Sequence, residues 1–403
     1  MRFSRDFTRF AAANAVTQLG TQVTLVALPL TAMLALNAGA FQLGLLTAAE
    51  MVAFLVIGLP VGVWVDRMRR RPILVWADLI RGLALLTIPV AAWLHVLSLA
   101  QLYGVAVVVG AGTVFFDVAH MSFMPSVVGR DQLERGNGVV QASTTVATLA
   151  GPGLGGALVG LVTAPVALLA DAVSYLVSGL LIRGIGAQET VPERQDRHLR
   201  REVMEGIRYV AGEPVLRTIA VLGAVTQFAN GVWNVGQPLY LVKELGISPG
   251  VYGLMISVSF AGALVGAAVV PRMTARYGTG RTLVGSAVLT AVLYLPVALT
   301  APGWRLLLFP VFQLLAGIPS VVLGITQLSY RQRTAPEHLL GRVNASMRFL
   351  MWSVLPLGGL AGGALGEWVG GRAVFVSGLL LLVVAHLPII VSRAIRNLDR
   401  VAR

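Results

Sequence analysis

The chain has 403 residues, of which 56% are hydrophobic and 12% are charged, whereas soluble domains carry roughly 25% charged residues. Together with a mean hydropathy of +0.78, this composition excludes a soluble multidomain protein and indicates a chain that crosses a membrane many times. The absence of cysteine excludes disulfides and Cys-ligated metal sites. The net charge is +13, and the positions of the basic residues along the chain indicate what this charge faces.

Twelve apolar runs follow one another along the chain, each with the ~20 residues that a spanning helix needs. The first run is too long for a signal peptide, so we interpret it as a span. The runs predict an all-α polytopic membrane protein with spans at 9–36, 41–65, 72–95, 98–126, 137–162, 164–187, 215–243, 249–271, 279–301, 303–329, 343–366 and 371–393.

The basic residues fix a predicted orientation. Nearly all of the 31 Lys and Arg residues fall on segments that share one side of the membrane if the N-terminus is inside. The positive-inside rule therefore places both termini in the cytoplasm. The excess charge then faces anionic lipid, and nucleic acid is not expected as a partner.

The stretch from Gln188 to Pro214 is the one long polar segment. It divides the chain into two predicted bundles of six helices, 1–187 and 215–403, joined by a cytoplasmic linker, 188–214. We expect this linker to include a short amphipathic helix on the inner membrane surface.

The two bundles are predicted to be repeats. Ala15-Val16-Thr17-Gln18 recurs as Ala224-Val225-Thr226-Gln227, and Pro29-Leu30 recurs as Pro238-Leu239, both at an offset of 209. Gly155-Gly156 meets Gly362-Gly363 at an offset of 207. Two parallel repeats around a central axis are typical of secondary transporters that open a midplane site to alternate sides.

The loop after the second predicted span runs from Gly62 to Arg71 and reads GVWVDRMRRR. It resembles motif A of the major facilitator superfamily, G-x-L-A-D-R-x-G-R-R, with Trp64, Val65 and Arg69 in place of Leu, Ala and Gly. In physical terms, a glycine permits close helix approach and a carboxylate beside an arginine or a helix N-terminus forms a latch. The resemblance implies that this loop is a cytoplasmic gate, with Arg348 as a candidate partner of Asp66. The gate residues are Gly62, Asp66, Arg67, Arg70 and Arg71.

The fifth predicted span resembles motif C of the superfamily's exporters, G-x8-G-x3-G-P-x2-G-G, with Ala147 in place of one glycine. Its members are Gly138, Gly151, Pro152, Gly155 and Gly156. In the family this motif is linked to antiport; the alternative is glycine packing without directional meaning. Motifs between about 58 and 180, among them Asp171-Ala172-Val173-Ser174-Tyr175, resemble the branch that contains the enterobactin exporter and macrolide-efflux proteins.

Two polar stripes are candidates for a substrate cavity. Asn14, Gln18 and Gln22 share a helical face in the first span, with Thr17 and Thr21 on the same face. The seventh span carries the second stripe, composed of Gln227, Asn230, Trp233, Asn234 and Gln237. Uncharged amides beside an aromatic residue suit a large solute of mixed polarity, and the alternative is hydrogen bonding between helices.

Acidic residues within spans are costly and are therefore functional candidates. Glu50 lies nine residues into the second span, roughly 13 Å along a helix, and we expect it to be the main proton site. Asp117 is expected to be the second site and Asp171 is a further candidate, with a buried, structurally paired acid as the alternative for each. Asp78 and Arg81, three residues apart, are predicted to pair with each other.

Together with the resemblance, these patterns predict a proton-coupled exporter of a hydrophobic or amphiphilic small molecule in a bacterial cytoplasmic membrane. The resemblance also implies a monomer. No cofactor is expected beyond the coupling proton, and no metal. An importer or facilitator on the same fold remains the main alternative. Enzyme activity is not expected, because the chain has no P-loop, no HExxH and no recognisable catalytic Ser–His or Asp–Asp spacing.

Overall fold

The computed structural model describes residues 3–128, 132–187, 189 and 199–401. The described residues are helical almost throughout and form two compact units, Met1–Arg197 with Ile247–Ser257, and His198–Gly246 with Val258–Arg403. Unit 1 contains α1 (Arg5–Leu30), α2 (Ala40–Asp66), α3 (Arg70–Trp93), α4 (Leu99–Val128), α5 (Leu133–Leu161) and α6 (Ala164–Arg183).

Unit 2 begins with a short amphipathic helix and continues with the second set of long helices. Its helices are α7 (Leu199–Gly212), α8 (Pro214–Pro238), α9 (Pro249–Tyr277), α10 (Thr279–Tyr294), α11 (Leu308–Thr334), α12 (Glu337–Trp352), α13 (Leu355–Ala385), α14 (Leu387–Val391) and α15 (Arg393–Val401). The first residues of α9 group with unit 1.

Eleven segments of the described chain are long and apolar enough to cross a membrane, and the last of them, Leu339–Val391, has 53 residues. At a rise of 1.5 Å per residue such a helix would measure roughly 80 Å, against a hydrocarbon core of about 30 Å. Its backbone breaks at Gly370, where φ is 82° and ψ is 170°. A left-handed φ of this kind suits glycine. The break divides the segment into two passages, and the predicted fold of two six-helix bundles with twelve spans is confirmed.

The helix ends follow from local sequence. Ser4 Oγ accepts a hydrogen bond of 3.1 Å from the amide of Phe7 and so caps α1. Proline stands in the first turn of α6 and of α8, where it needs no hydrogen-bond partner for its nitrogen.

The helix predicted in the linker is α7. It packs on α12, and Arg342 Nη1 donates to Glu205 Oε2 at 2.6 Å.

The repeat is visible in the backbone of both units. A π-helical segment, Thr31–Ala35, continues α1, and Leu239–Glu244 continues α8 in the same way. The first begins directly after Pro29-Leu30, and the second begins at the leucine of Pro238-Leu239, the pair 209 residues later. The interior proline and the wider turn therefore occur at equivalent places.

Unit 1 holds its helices together by packing α1 against α5 and α6, and α3 against α4 and α6. One end of the bundle is filled by aromatic and aliphatic side chains, including Phe10, Phe116 and Phe123. Midway along, the apolar packing gives way to charged and hydroxyl side chains of α1, α3, α4 and α6.

Candidate functional site

Arg81 of α3 is the centre of a polar cluster inside unit 1. Only 2% of the residue is exposed, and its Nη2 donates to Oδ1 of Asp78, one turn earlier. The pair that the three-residue spacing predicts is therefore confirmed. The other terminal nitrogen, Nη1, donates to Thr113 Oγ1 of α4 at 3.3 Å.

Two aromatic rings enclose the Arg81 guanidinium. Its central carbon lies 4.4 Å from the ring centroid of Phe116 on α4 and 4.1 Å from that of Tyr175 on α6. A desolvated cation gains about 2 kcal/mol from such a ring. Arg81 thus connects α3 to both α4 and α6 with one buried positive charge.

Asp171 lies one turn before Tyr175 on α6 and is fully buried. Thr24 Oγ1 of α1 donates to its Oδ2 at 2.5 Å, and Ser174 Oγ donates to its Oδ1 at 2.9 Å. Among the described residues of this cluster, two carboxylates therefore accompany one guanidinium. When both acids are ionised, the cluster holds an uncompensated negative charge in a medium that disfavours it.

Glu50 lies in the middle part of α2 and is half-buried. Its side chain makes no hydrogen bond or ion pair with any residue in the described ranges 3–128, 132–187, 189 and 199–401. Its backbone carbonyl lies against Gly110 of α4, which brings α2 and α4 close together at this level. The structure thus places a carboxyl group within a span without a described protein cation beside it.

The second proton-site candidate, Asp117, and the candidate gate partner, Arg348, lie in different units. Asp117 is half-buried on α4 in unit 1, and Arg348 is exposed on α12 in unit 2. The Asp66 side chain lies outside the described part of the chain, although the backbone shows that α2 ends at this residue. The latch between Asp66 and Arg348 stays a prediction.

Some residues of the polar stripe of α1 form hydrogen bonds to other helices, and others do not. Asn14 is buried and its Nδ2 donates to Ser143 Oγ of α5 at 3.0 Å, and Thr21 Oγ1 lies 3.2 Å from the Tyr175 hydroxyl. Gln18 and Gln22 are half-buried, and Oε1 of Gln22 has no hydrogen-bond partner within the described chain. The Gln22 Oε1 is itself buried, so the structure leaves it unpaired without exposing it to a solute.

The stripe of α8 requires one correction. Trp233 is 7% exposed and packs on Phe309, at 6.0 Å between ring centroids, and on Phe375, at 4.8 Å. It therefore belongs to an aromatic core rather than to a cavity wall. Asn234 is exposed and Gln237 is half-buried, whereas Asn230 Nδ2 donates to Gln227 Oε1 at 2.9 Å.

The motif A loop is anchored by a residue that the sequence analysis did not single out. The Glu189 carboxylate accepts hydrogen bonds from the backbone amides of Arg70, at 2.5 Å, and Arg71, at 2.9 Å, the first two residues of α3. Arg71 Nη2 also donates to the carbonyl oxygen of Arg183 at the end of α6. Arg67 is the C-cap residue that follows α2, and it is exposed. The close helix approach expected at Gly62 is not found, because a Cβ there would meet no described atom within 4 Å.

The glycines of motif C face two different helices. Cβ atoms added at Gly151 and Gly155 would meet Gln22 and Val23 of α1, whereas one at Gly156 would meet Pro249 and lie 2.9 Å from the Gly253 Cα in α9. The amide of Gly153 donates to Ser257 Oγ at 2.8 Å. Pro152 is buried within α5. Gly138 has no described atom within 4 Å of an added Cβ, so it does not share this packing role.

His120 of α4 is a second residue that sequence reasoning missed. Its ring stacks on Phe10 at 4.4 Å and on Phe116 at 5.5 Å, and the Phe116 ring also contacts Arg81. The i,i+4 spacing of Phe116 and His120 indicates their contact, but nothing in the sequence indicates the contact of His120 with Phe10.

Solved structures with similar folds are membrane transporters. A bacterial homologue of the iron transporter ferroportin, in an inward-facing state, matches with a TM-score of 0.74 and 18% identity over 97% of this chain and 100% of that one. The nucleoside transporter NupG matches with a TM-score of 0.78 and 11% identity over 97% and 100%. At these identities the likeness concerns the fold alone.

Sequence relatives match the chain over nearly its full length. The multidrug efflux pump Tap of Mycolicibacterium fortuitum is 30% identical over 403 residues, which cover 94% of each chain. Tap of Mycobacterium tuberculosis is 29% identical over 405 residues, 96% of this chain and 93% of the relative. The family model of the Major Facilitator Superfamily matches residues 10–232 and 219–400. The predicted family is thereby confirmed: this chain belongs to the major facilitator superfamily of transporters.

Proposed function

We propose that this transporter exports a hydrophobic or amphiphilic small molecule from a bacterial cytoplasm in exchange for protons. Two relatives with about 30% identity are named multidrug efflux pumps, which supports the direction and the substrate class. The distribution of arginines supports a cytoplasmic location for both termini. The protein works as a monomer without a cofactor or metal in this proposal.

The observation that carries the coupling proposal is the unpaired carboxyl group of Glu50. An ionised carboxylate inside a span is costly unless it is paired, and the described chain provides no partner for it. Binding a proton removes the charge, and releasing the proton restores it. Glu50 is therefore the main proposed proton carrier, with Asp117 as the second.

The Asp171 cluster supplies a further acid for the same task. Its two hydroxyl donors hold the carboxylate on the shared face of α1 and α6. Because Arg81 already pairs with Asp78, a proton on Asp171 would make the cluster neutral. In this proposal Asp171 and Arg81 link the protonation state to the packing of α1, α3 and α6.

In unit 1, Gln18 and Gln22 of α1 are the proposed substrate contacts. In unit 2, the proposed contacts are Asn234 and Gln237 of α8. These amides offer hydrogen bonds without charge, which suits a solute that is largely apolar. Motif C is proposed to favour export, as the link of this motif to antiport in the family implies. Its glycines pack α5 tightly on α1 and on the first turns of α9.

Efflux of a fluorescent cationic dye from bacteria that express the protein tests the proposal. Wild-type cells should lose preloaded dye faster than cells with an empty vector, and a protonophore should abolish the difference. Glu50→Gln should remove the dye efflux, and Asp66→Asn in the gate motif should do the same. Dye accumulation above the control, or efflux that resists the protonophore, would contradict proton-coupled export. Equal amounts of each variant in the membrane are the control.

A further inference from the structure

A cavity of about 750 Å³ lies at one end of unit 1, where α3 begins and α6 ends. Three arginines line it, Arg69, Arg71 and Arg183, together with Glu189. Both helices are candidate spans, so their shared end lies where the bilayer meets water. The cavity therefore sits at the depth of lipid headgroups.

The guanidinium groups of two of the three arginines have no protein partner within the described chain. Glu189 is engaged by the amides of α3, and Arg71 donates to the carbonyl of Arg183. The guanidinium groups of Arg69 and Arg183 make no hydrogen bond or ion pair with described residues. Five fixed donors on each group suit a phosphate.

Apolar side chains of α3 line the cavity next to these arginines. Trp76 and Leu79 line the cavity and stand three residues apart, on one face of the helix. Trp76 is 62% exposed. Tryptophan at the end of a span is typical of the membrane interface. A charged end beside an apolar track is the shape of a site for an anionic amphiphile.

The repeat-equivalent place in unit 2 is built differently. Arg281, Arg393 and Asp399 stand 210 residues after Arg71, Arg183 and Glu189. There Thr279 replaces Arg69 and Ser286 replaces Trp76, and Ser286 is 5% exposed. Helix α15 packs on α10 at this place. In unit 2 the residue equivalent to Trp76 is therefore buried, whereas in unit 1 Trp76 and three arginines line a cavity.

We propose that the cavity of unit 1 binds an anionic phospholipid. Arg69 and Arg183 contact its phosphate, and one acyl chain lies along Trp76 and Leu79. Because three arginines and one glutamate line the cavity, its net charge is positive, and the site prefers lipids with a net negative charge to zwitterionic ones. The proposal is independent of the transported substrate.

Native mass spectrometry of the full chain in detergent, titrated with phosphatidylglycerol and with phosphatidylethanolamine, tests this site. The double variant Arg69→Gln/Arg183→Gln should bind phosphatidylglycerol about thirtyfold more weakly, since each basic residue near a lipid surface contributes roughly fivefold. The matched control, Arg281→Gln/Arg393→Gln, removes the same charge from the equivalent exposed positions of unit 2 and should bind like the wild type. Glycerol phosphate at the same concentration should not displace the lipid, because it lacks the acyl chain.

Phosphatidylglycerol with brominated acyl chains gives a second readout. It should quench the tryptophan fluorescence of the wild type more than that of Trp76→Phe. This Trp76-dependent quenching should be absent in the Arg69→Gln/Arg183→Gln variant. Equal affinity for the two lipids, equal losses in both double variants, displacement by glycerol phosphate, or no Trp76-dependent quenching would each overturn the proposal.

Discussion

Glu189 and Asp399 stand 210 residues apart and cap the same helix of their respective repeats. The Glu189 carboxylate accepts from the first two amides of α3, and the Asp399 carboxylate accepts from Gly280 at 3.0 Å and Arg281 at 2.9 Å, near the start of α10. In both units an acidic residue from the segment after the last span of that unit caps the first turn of an earlier helix, α3 in unit 1 and α10 in unit 2. Each carboxylate satisfies amides that a helix leaves unpaired and stabilises the positive end of its dipole.

Loss of either cap should destabilise its own bundle. Glu189→Ala and Asp399→Ala should each cost about 1–2 kcal/mol, because two amides lose a charged acceptor. For bundles of this size, that cost lowers the apparent melting temperature by roughly 2–8 °C. Differential scanning fluorimetry in detergent at a fixed scan rate measures the change. Glu367→Ala, which alters an exposed glutamate of α13, is the control and should melt within about 1 °C of the wild type.

The repeat was detectable from sequence, but its caps were not. Apolar runs and the offsets near 209 predicted the bundles because periodic hydrophobicity and recurring Pro-Leu pairs are local patterns. Glu189 gave no such signal, since it lies in the polar linker and acts on residues more than one hundred positions earlier. An exchange of Glu for Asp across the repeat also hides the equivalence from a search for identical residues.

Removal of the buried cation should be more damaging than removal of the whole pair. Arg81→Met leaves Asp78 buried without its partner, which typically costs 3–5 kcal/mol. Adding Asp78→Asn removes that unpaired charge, so the double variant should recover most of the folded yield. Fluorescence-detected size-exclusion chromatography of the single and double variants measures the yield. Equal yields of Arg81→Met and the double variant would contradict the pairing.

Two glycines of motif C should respond differently to substitution, because Gly156 is tightly packed and Gly138 is not. A Cβ at Gly156 would lie 2.9 Å from the Gly253 Cα, so Gly156→Ala should cost about 1–3 kcal/mol through overpacking. Gly138→Ala, in open space on the same helix, should be stabilising by about 0.5–1 kcal/mol through helix propensity. Thermal unfolding of both variants in one detergent is the measurement. A Gly156→Ala variant that melts no lower than Gly138→Ala would show that α9 does not pack on this glycine.

Short-range spacing predicted part of the candidate site, and tertiary packing determined the rest. The Asp78–Arg81 pair follows from positions one helical turn apart. By contrast, the contact of Arg81 with Tyr175 joins helices about ninety residues apart, and no local pattern encodes it. Trp233 lies on the amide stripe by sequence, yet Phe309 and Phe375 bury it. Amphipathic periodicity identifies a face but not the helix that packs on it.

The coupling role of Glu50 is tested most directly in proteoliposomes that contain purified protein and an imposed pH gradient. Two modes are compared in the same preparation: gradient-driven uphill transport of a cationic dye, and exchange of labelled for unlabelled dye without a gradient. Wild-type protein should perform both. Glu50→Gln should lose uphill transport by at least tenfold while it keeps exchange, because exchange needs the substrate site and alternating access but no net proton movement. Glu367→Gln should behave like the wild type.

The opposite pattern would contradict the account. Uphill transport by Glu50→Gln at the wild-type rate and with the wild-type pH dependence would show that the α2 carboxyl does not carry the coupling proton. Loss of uphill transport with intact exchange, in Glu50→Gln but not in Glu367→Gln, is the result that proton-coupled export through Glu50 predicts.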